Sequence, residues 1–199
     1  MSPLALERAE FHPCCVRHIA LLGSPGAGKS WLARELANSL DIPVIHLDRL
    51  YWKPGWVATP DPEWDALQRR EVERESWVAD GLQEGRISPD VWLDAADTIV
   101  FLDFPPLSCM WRVVKRRLDG APGPEMPADC RPAPFYRAFP KLLRFLWLYR
   151  TTVRPQVLAD LARRKQQQDV EVLRTEDDVR RFLARATAQP EALGESLFM

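Results

Sequence analysis

Long apolar runs are missing from this 199-residue chain, and none approaches the roughly 20 residues that span a membrane. A surplus of charge of one sign is missing as well: 27 Lys and Arg stand against 28 Asp and Glu, a formal net charge of −1. No overall field therefore draws the chain toward nucleic acid or a membrane surface, and any basic site has to be local. Cysteine is scarce. Cys14, Cys15, Cys109 and Cys130 form no paired C-x-x-C zinc pattern, and free thiols are expected in place of a disulfide framework. A redox role for the neighbouring Cys14 and Cys15 is the alternative. The three histidines, His12, His18 and His46, lack metal-ligand spacing and are expected to be structural. Glu7, Arg8 and Glu10 stand where a signal peptide needs an apolar core, so the expectation is a cytoplasmic protein. Internal repeats and low-complexity tracts are absent. The composition, 46% hydrophobic and 28% charged, suits one domain with a sizeable core.

Against this plain background stands one specific motif. Gly23-Ser24-Pro25-Gly26-Ala27-Gly28-Lys29-Ser30 fits G-x-x-x-x-G-K-[ST], the phosphate-binding P-loop. His18-Ile19-Ala20-Leu21-Leu22 reads as an apolar strand before it, and Trp31-Leu32-Ala33-Arg34-Glu35-Leu36-Ala37 as a helix after it. That strand–loop–helix context is what the motif requires. Glycines let backbone N–H groups crowd around phosphate oxygens, and the helix N-terminus adds partial positive charge. The expected ligand is ATP, held by residues 23–30 and Trp31. Lys29 is expected to reach the β- and γ-phosphates, and the Ser30 hydroxyl to bind Mg²⁺. The bland alternative is an ordinary glycine turn.

The rest of the chain alternates between strand and helix patterns. Strands are expected near 18–23, 42–47, 76–79, 98–102 and 170–173. Helices are expected near 29–40, 61–75, 85–93, 106–118, 135–164 (bent at Pro155) and 176–187. Asp61 and Pro62 mark a helix start. Thr98-Ile99-Val100-Phe101-Leu102 is apolar throughout, as a buried parallel strand should be. Residues 119–134 carry Gly120, Pro122, Gly123, Pro124, Pro127, Pro132 and Pro134 and read as a loop or lid. Residues 1–17 are an expected extension, 18–189 the domain, and 190–199 a tail. Such alternation implies an α/β fold with a parallel sheet covered on both faces. Ligands of such sheets sit beyond the carboxyl ends of the strands. Ser30, Asp48, Asp80 and Asp103 all fall near strand ends and are expected to converge there.

Phosphoryl transfer needs Mg²⁺, positive charge on the migrating group, and exclusion of water. For the metal, Asp80 joins Ser30 as a candidate, acting through bound water, although Asp80-Gly81 also reads as a plain turn. For positive charge, Arg112, Lys115, Arg116 and Arg117 precede the lid, and Arg150 and Arg154 follow it four residues apart. A solvated basic face is the other reading of these residues. For the acceptor, Asp48 could bind or deprotonate a hydroxyl, with Tyr51, Trp52 and Trp56 stacking on a ring. Core aromatics with a capping aspartate are equally compatible with that stretch.

Taken together, these pieces resemble one family. The pieces are the P-loop, His46-Leu47-Asp48-Arg49-Leu50-Tyr51-Trp52-Lys53-Pro54-Gly55-Trp56, Trp77-Val78-Ala79-Asp80-Gly81, the stretch Ala96 to Pro105, residues 112–117, and Phe145 to Pro155. They look like the topology modulation proteins, also called FlaR-related, which are adenylate-kinase-like P-loop NTPases. The resemblance covers roughly residues 18–175. It implies a three-layer nucleoside-monophosphate-kinase fold with a five-stranded parallel sheet in the order 2-3-1-4-5. It also implies ATP, Mg²⁺ and a lid at 119–134. It places Lys29, Asp80, an arginine at 116 or 117, Arg150 and Arg154 around the phosphates. The chain departs from the family in two places. Leu82-Gln83 replace the usual Asn-Tyr, and Gly123 and Ala133 replace a lid arginine and glutamate, with Arg131 beside Cys130.

The expected function is that of a phosphotransferase using ATP and Mg²⁺ on a nucleotide or other small-molecule acceptor. The base would lie near Arg174-Thr175, and Arg86 would hold an anionic group of the acceptor. The alternative is an ATP-binding regulatory protein linked to DNA topology without phosphotransfer. Near-zero net charge speaks against direct nucleic-acid binding. Monomer and homodimer both remain open.

Overall fold

The computed structural model describes residues 16–81, 90–119, 140, 144–145 and 148–187. Five parallel strands form the central sheet: β1 (His18–Gly23), β2 (Val44–His46), β5 (Trp77–Asp80), β6 (Thr98–Leu102) and β7 (Asp169–Leu173). Their spatial order is β2-β5-β1-β6-β7. Counted along the central sheet alone this is 2-3-1-4-5, the order that the family resemblance implied. A hairpin of β3 (Trp52–Lys53) and β4 (Val57–Ala58) stands apart from it. The helices are α1 (Lys29–Leu40), α2 (Leu47–Tyr51), α3 (Asp61–Val72), α4 (Asp90–Ala95), α5 (Pro106–Leu118), α6 (Arg154–Arg164) and α7 (Glu176–Thr187).

Both faces of the sheet are dry, and the period-2 alternation of strand side chains divides the core in two. Ile19, Leu21, Val100 and Leu102 point to one face, against Leu32 and Leu36 of α1 and Phe182 of α7. Ala20, Leu22, Ile99 and Phe101 point to the other, against Trp64, Trp92, Val157 and Leu161. All five residues of β6 are buried. Truncating a side chain such as Phe101 there is expected to cost about 3–5 kcal/mol through lost transfer energy and a cavity.

The amino edge of the sheet is tied by Asp97, whose Oδ2 accepts the backbone N–H groups of Arg17 and His18 at 2.6 and 2.9 Å. His18 lies at this edge, its Nε2 3.0 Å from the Arg74 carbonyl and its ring against Trp77. It is remote from the strand ends where the P-loop lies. Asp103, just past β6, donates its N–H to the Leu173 carbonyl at the opposite edge.

Several boundaries differ from the sequence reading. The aromatic stretch at 51–56 falls outside every strand and helix expected from the sequence. It ends α2 and folds into the β3–β4 hairpin, turning at Gly55 and Trp56, both with positive φ. A bend was expected at Pro155; what the structure shows is a change of helix type just before it. Tyr149–Val153 form a π-helical turn, and Arg154 donates its N–H to the Tyr149 carbonyl. Pro155 can sit in the first turn of α6 without penalty, because a helix has no internal use for that N–H. The wider turn absorbs the break. The short helix expected at 85–93 is seen as α4; residues 82–89 lie outside the described residues, as do 1–15, 120–139 and 188–199. The lid, Arg86, Arg131, His12 and three of the four cysteines therefore fall outside them. Cys109 is a buried free thiol.

Candidate active site

The turn between β1 and α1 is shaped by contacts to α5. Gly26 has φ 81°, and a Cβ added there would run into the Cys109 carbonyl and lie 2.8 Å from Val113 Cγ2. Only glycine fits that approach. Gly28 has φ 100° and open space where its Cβ would be, so conformation alone demands glycine. It is the residue from which α1 starts. The free N–H groups of a helix start form a ready anion cradle. Lys29 is the first residue of α1 and is 8% exposed. Its Nζ curls back to donate to the Gly23 and Ser24 carbonyls, at 2.8 and 3.2 Å.

Asp80 ends β5, one strand over, and is 3% exposed. Burial pushes its carboxyl pKa up. The hydrogen bond with His46, the charge of Lys29 and the Ser30 hydroxyl outweigh that and hold it below the ordinary carboxylate value. Asp80 Oδ2 lies 3.3 Å from His46 Nδ1. Asp80 Oδ1 is buried with no hydrogen-bond partner. An ionised, buried oxygen in that state is costly to leave unsatisfied. With the Ser30 hydroxyl it makes a pair of hard oxygen donors suited to Mg²⁺, which binds a few protein oxygens and keeps water and phosphate for the rest. Among the described residues, no group of three or more His, Cys, Asp or Glu side chains could cage a metal. A cation here would therefore depend on ligand oxygens.

Asp48 lies in the first turn of α2, at the same edge. Its Oδ2 is 3.2 Å from where a Cβ of Gly81 would stand, so the carboxyl packs on the backbone just past Asp80. The nearby aromatics pack on one another. Tyr51 meets Trp52 and Trp64 edge-on, and Trp52 meets Trp56. Trp56 remains 39% exposed.

Two cavities flank the P-loop. One, of about 400 Å³, runs beside Gly28 and is bounded by Trp31, Leu102, Phe104, Arg112 and Val179. The Arg112 guanidinium lies 4.6 Å from the centre of the Phe104 ring, and its Nη2 bonds Glu176 at 3.0 Å. It presents a fixed flat plate in a mainly apolar cleft. The second cavity, of about 210 Å³, lies between Ser24 and Asp103 and is lined by Arg150, Arg154 and Arg174. Arg154 engages both oxygens of Asp103, which raises the arginine's already high pKa.

The expected residues thus divide into groups. Residues 23–31, Asp48, Asp80 and Asp103 meet at one sheet edge. Arg150 and Arg154 share the second cavity, while Arg116 is exposed on α5 and the Arg117 side chain lies outside the described residues. Arg112 stands on the apolar cleft, where the sequence reading had grouped it with the phosphate-facing cations. Arg174 faces the second cavity and not that cleft. The sequence reading takes His46 as structural and does not single out Phe104; the structure sets the first against Asp80 and the second under Arg112. His46 shows itself only once β2 and β5 are paired in register, His46 opposite Asp80. Phe104, two residues past the end of β6, shows itself only through the Arg112 guanidinium that lies over its ring.

No family model matches the chain, and no curated protein matches it. Solved structures do. A shikimate kinase from Acinetobacter baumannii, in complex with shikimate, aligns with TM-score 0.55 and 16% identity over 86% of this chain and 90% of its own. A gluconokinase from Sinorhizobium meliloti 1021 aligns with TM-score 0.48 and 18% identity over 86% and 90%. A shikimate kinase from Bacteroides thetaiotaomicron aligns with TM-score 0.47 and 18% identity over 86% and 96%. At these identities the likeness is one of architecture: the chain has the α/β fold of the P-loop kinases, a five-stranded parallel sheet flanked by helices.

Proposed function

We propose that the chain is a phosphotransferase of the P-loop kinase type, using ATP and Mg²⁺ on a nucleotide or other small-molecule acceptor. One observation carries this reading. The buried Lys29, the Ser30 hydroxyl and the unpartnered Asp80 Oδ1 stand together beside an anion-binding helix start. The likeness to topology modulation proteins, and the fold shared with a kinase that holds a small molecule, support the same class.

In this reading the backbone N–H groups of Gly26, Gly28, Lys29 and Ser30 hold the phosphates, and Lys29 exchanges the Gly23 and Ser24 carbonyls for phosphate oxygens. Ser30 and Asp80 would hold Mg²⁺, which would supply charge neutralisation to the phosphates. The adenine fits the apolar cleft, with Trp31 and Arg112 as its walls. Asp48 accepts the proton of the acceptor hydroxyl. Arg116, Arg117, Arg150 and Arg154 supply cations to the transferring group. Arg154 already uses Nε and one N–H of Nη2 on Asp103, so Nη1 and the second N–H of Nη2 form the edge it can turn to phosphate. Among the described residues, no helix is long and apolar enough to cross a membrane. The proposed setting is cytoplasmic.

The test is a screen of candidate acceptors with ATP and Mg²⁺, reading ADP release against a control without acceptor. Lys29→Ala should lower turnover at least roughly a hundredfold, the scale of losing one charge-stabilising donor. Equal rates in the parent and the variant would overturn the assignment. So would calorimetry that finds no heat of association with ATP or GTP in millimolar Mg²⁺.

A further inference from the structure

His46 lies at this edge and has no part in the scheme above. It is the last residue of β2, directly opposite Asp80 in the parallel register. Two ends of neighbouring strands thus place an imidazole and a carboxylate side by side, both largely out of water, with side-chain exposures of 19% and 3%. An ionised carboxylate offers acceptors only. At 3.3 Å, Nδ1 must then be the donor and Oδ2 the acceptor, which assigns the imidazole tautomer or charge state at that nitrogen. The contact uses one oxygen of Asp80 and leaves Oδ1, the buried oxygen without a partner, as the one aimed elsewhere. A carboxylate side chain that can rotate would otherwise share its two oxygens between any donors in reach.

We propose that His46 is a positioning residue for the metal site: by holding Asp80 Oδ2, it keeps Oδ1 turned toward the Ser30 side, where a divalent cation between protein and phosphate would lie. The inference rests on the reading that the P-loop binds a nucleotide with Mg²⁺. It gives His46 the role that a carboxylate or carbonyl commonly plays behind a metal-binding histidine, with the order of the two groups reversed. The alternative is a histidine that merely fills the end of β2.

The two roles separate in binding, without any turnover. A non-hydrolysable ATP analogue is titrated into the parent protein, His46→Asn and His46→Phe by calorimetry, first in EDTA and then over a series of Mg²⁺ concentrations. The Asn side-chain N–H₂ can donate from nearly the same place as Nδ1, whereas Phe fills the space and donates nothing. His46→Phe should need about tenfold more Mg²⁺ for the same tightening of nucleotide binding, the usual scale for loss of an outer hydrogen bond at a metal site. Its binding in EDTA should stay within about twofold, and His46→Asn should return most of the Mg²⁺ dependence. Should His46→Phe fold poorly by circular dichroism, His46→Ala serves as the donor-free variant. A donor-free variant with the parent's Mg²⁺ dependence overturns this inference and leaves the nucleotide reading intact. Equal losses in the Asn and the donor-free variants overturn it as well. A parent protein that binds no nucleotide at all overturns the proposed function, and this inference with it.

Discussion

Arg154 meets Asp103 fork to fork: Nε and Nη2 of the guanidinium donate to Oδ1 and Oδ2 of the carboxylate at 2.6 and 2.7 Å. The pair joins the first residue of α6 to the residue after β6, at the mouth of the second cavity. The carboxylate is nearly buried, 7% exposed, while the arginine is 35% exposed. Removing the arginine leaves a buried acceptor short of its donors. Arg154→Met should therefore cost about 1–2 kcal/mol, below the range for fully buried pairs because solvent screens one partner. Urea unfolding at neutral pH measures it, and an unchanged midpoint would mean that the fork adds nothing net.

The two inner glycines of the P-loop should fail in different ways. Gly28→Ala meets only the left-handed backbone, at about 1–2 kcal/mol. Gly26→Ala meets the same strain and also a collision with α5, so its loss should be clearly larger. Urea midpoints of the two variants rank them. The reverse order would contradict the packing of the loop on Cys109 and Val113.

The start of α7 is closed by a reciprocal cap. Asp178 N–H donates to Thr175 Oγ1 at 3.1 Å, and Asp178 Oδ2 accepts from the Thr175 N–H at 2.9 Å. The Arg181 guanidinium, bonded to Oδ1 at 2.6 Å, does most to draw the Asp178 pKa down from 3.8 to about 2, with the Thr175 hydroxyl and the backbone N–H groups of Arg174 and Thr175 adding to it. A carboxyl group depressed in the folded state contributes stability above its unfolded value near 4 and loses it as pH falls toward 2. Asp178→Asn should therefore flatten part of the acid side of the stability curve between about pH 4 and pH 2. Thr175→Ala should cost about 1 kcal/mol at pH 7. Thermal melts across that pH range test both, and parallel curves for the parent and Asp178→Asn would count against the cap.

If the apolar cleft takes a purine, Arg112 matters as a surface more than as a charge. Arg112→Lys keeps the charge but loses the flat plate over Phe104. Affinity for ADP should fall about three- to tenfold, the range of one modest stacking or cation–π contact. The response of binding to Mg²⁺ should not change. Calorimetry that shows parent-like affinity would remove Arg112 from the base site.

Much of the fold was open to reading from the chain alone. β1, α1, β6, α5 and α7 matched the expected spans, because each combines a run or stripe of apolar residues with a clear start signal. The topology followed from the resemblance, not from periodicity. Less readable were the features that depend on what lies across a strand or a helix. The partnership of His46 with Asp80 exists only through sheet register. The Arg112 plate depends on α5 bringing it over Phe104. The β3–β4 hairpin was hidden because Tyr51, Trp52 and Trp56 satisfy one another within it, and their sequence looks the same in a loop. The π-helical turn has no composition of its own.

That turn sets the phase between two cations. Tyr149–Val153 accommodate more chain per revolution than the α6 turns that follow. Removing one residue there, for example Thr152, would let the segment relax to regular α geometry, with three residues at roughly 100° each separating Arg150 from Arg154. Four residues of the wider turn span nearly the same angle, so helical content and the shared arrangement of the two guanidinium groups should both largely survive such a deletion. The spiral thus works as slack in the chain, a place where a single-codon loss is absorbed.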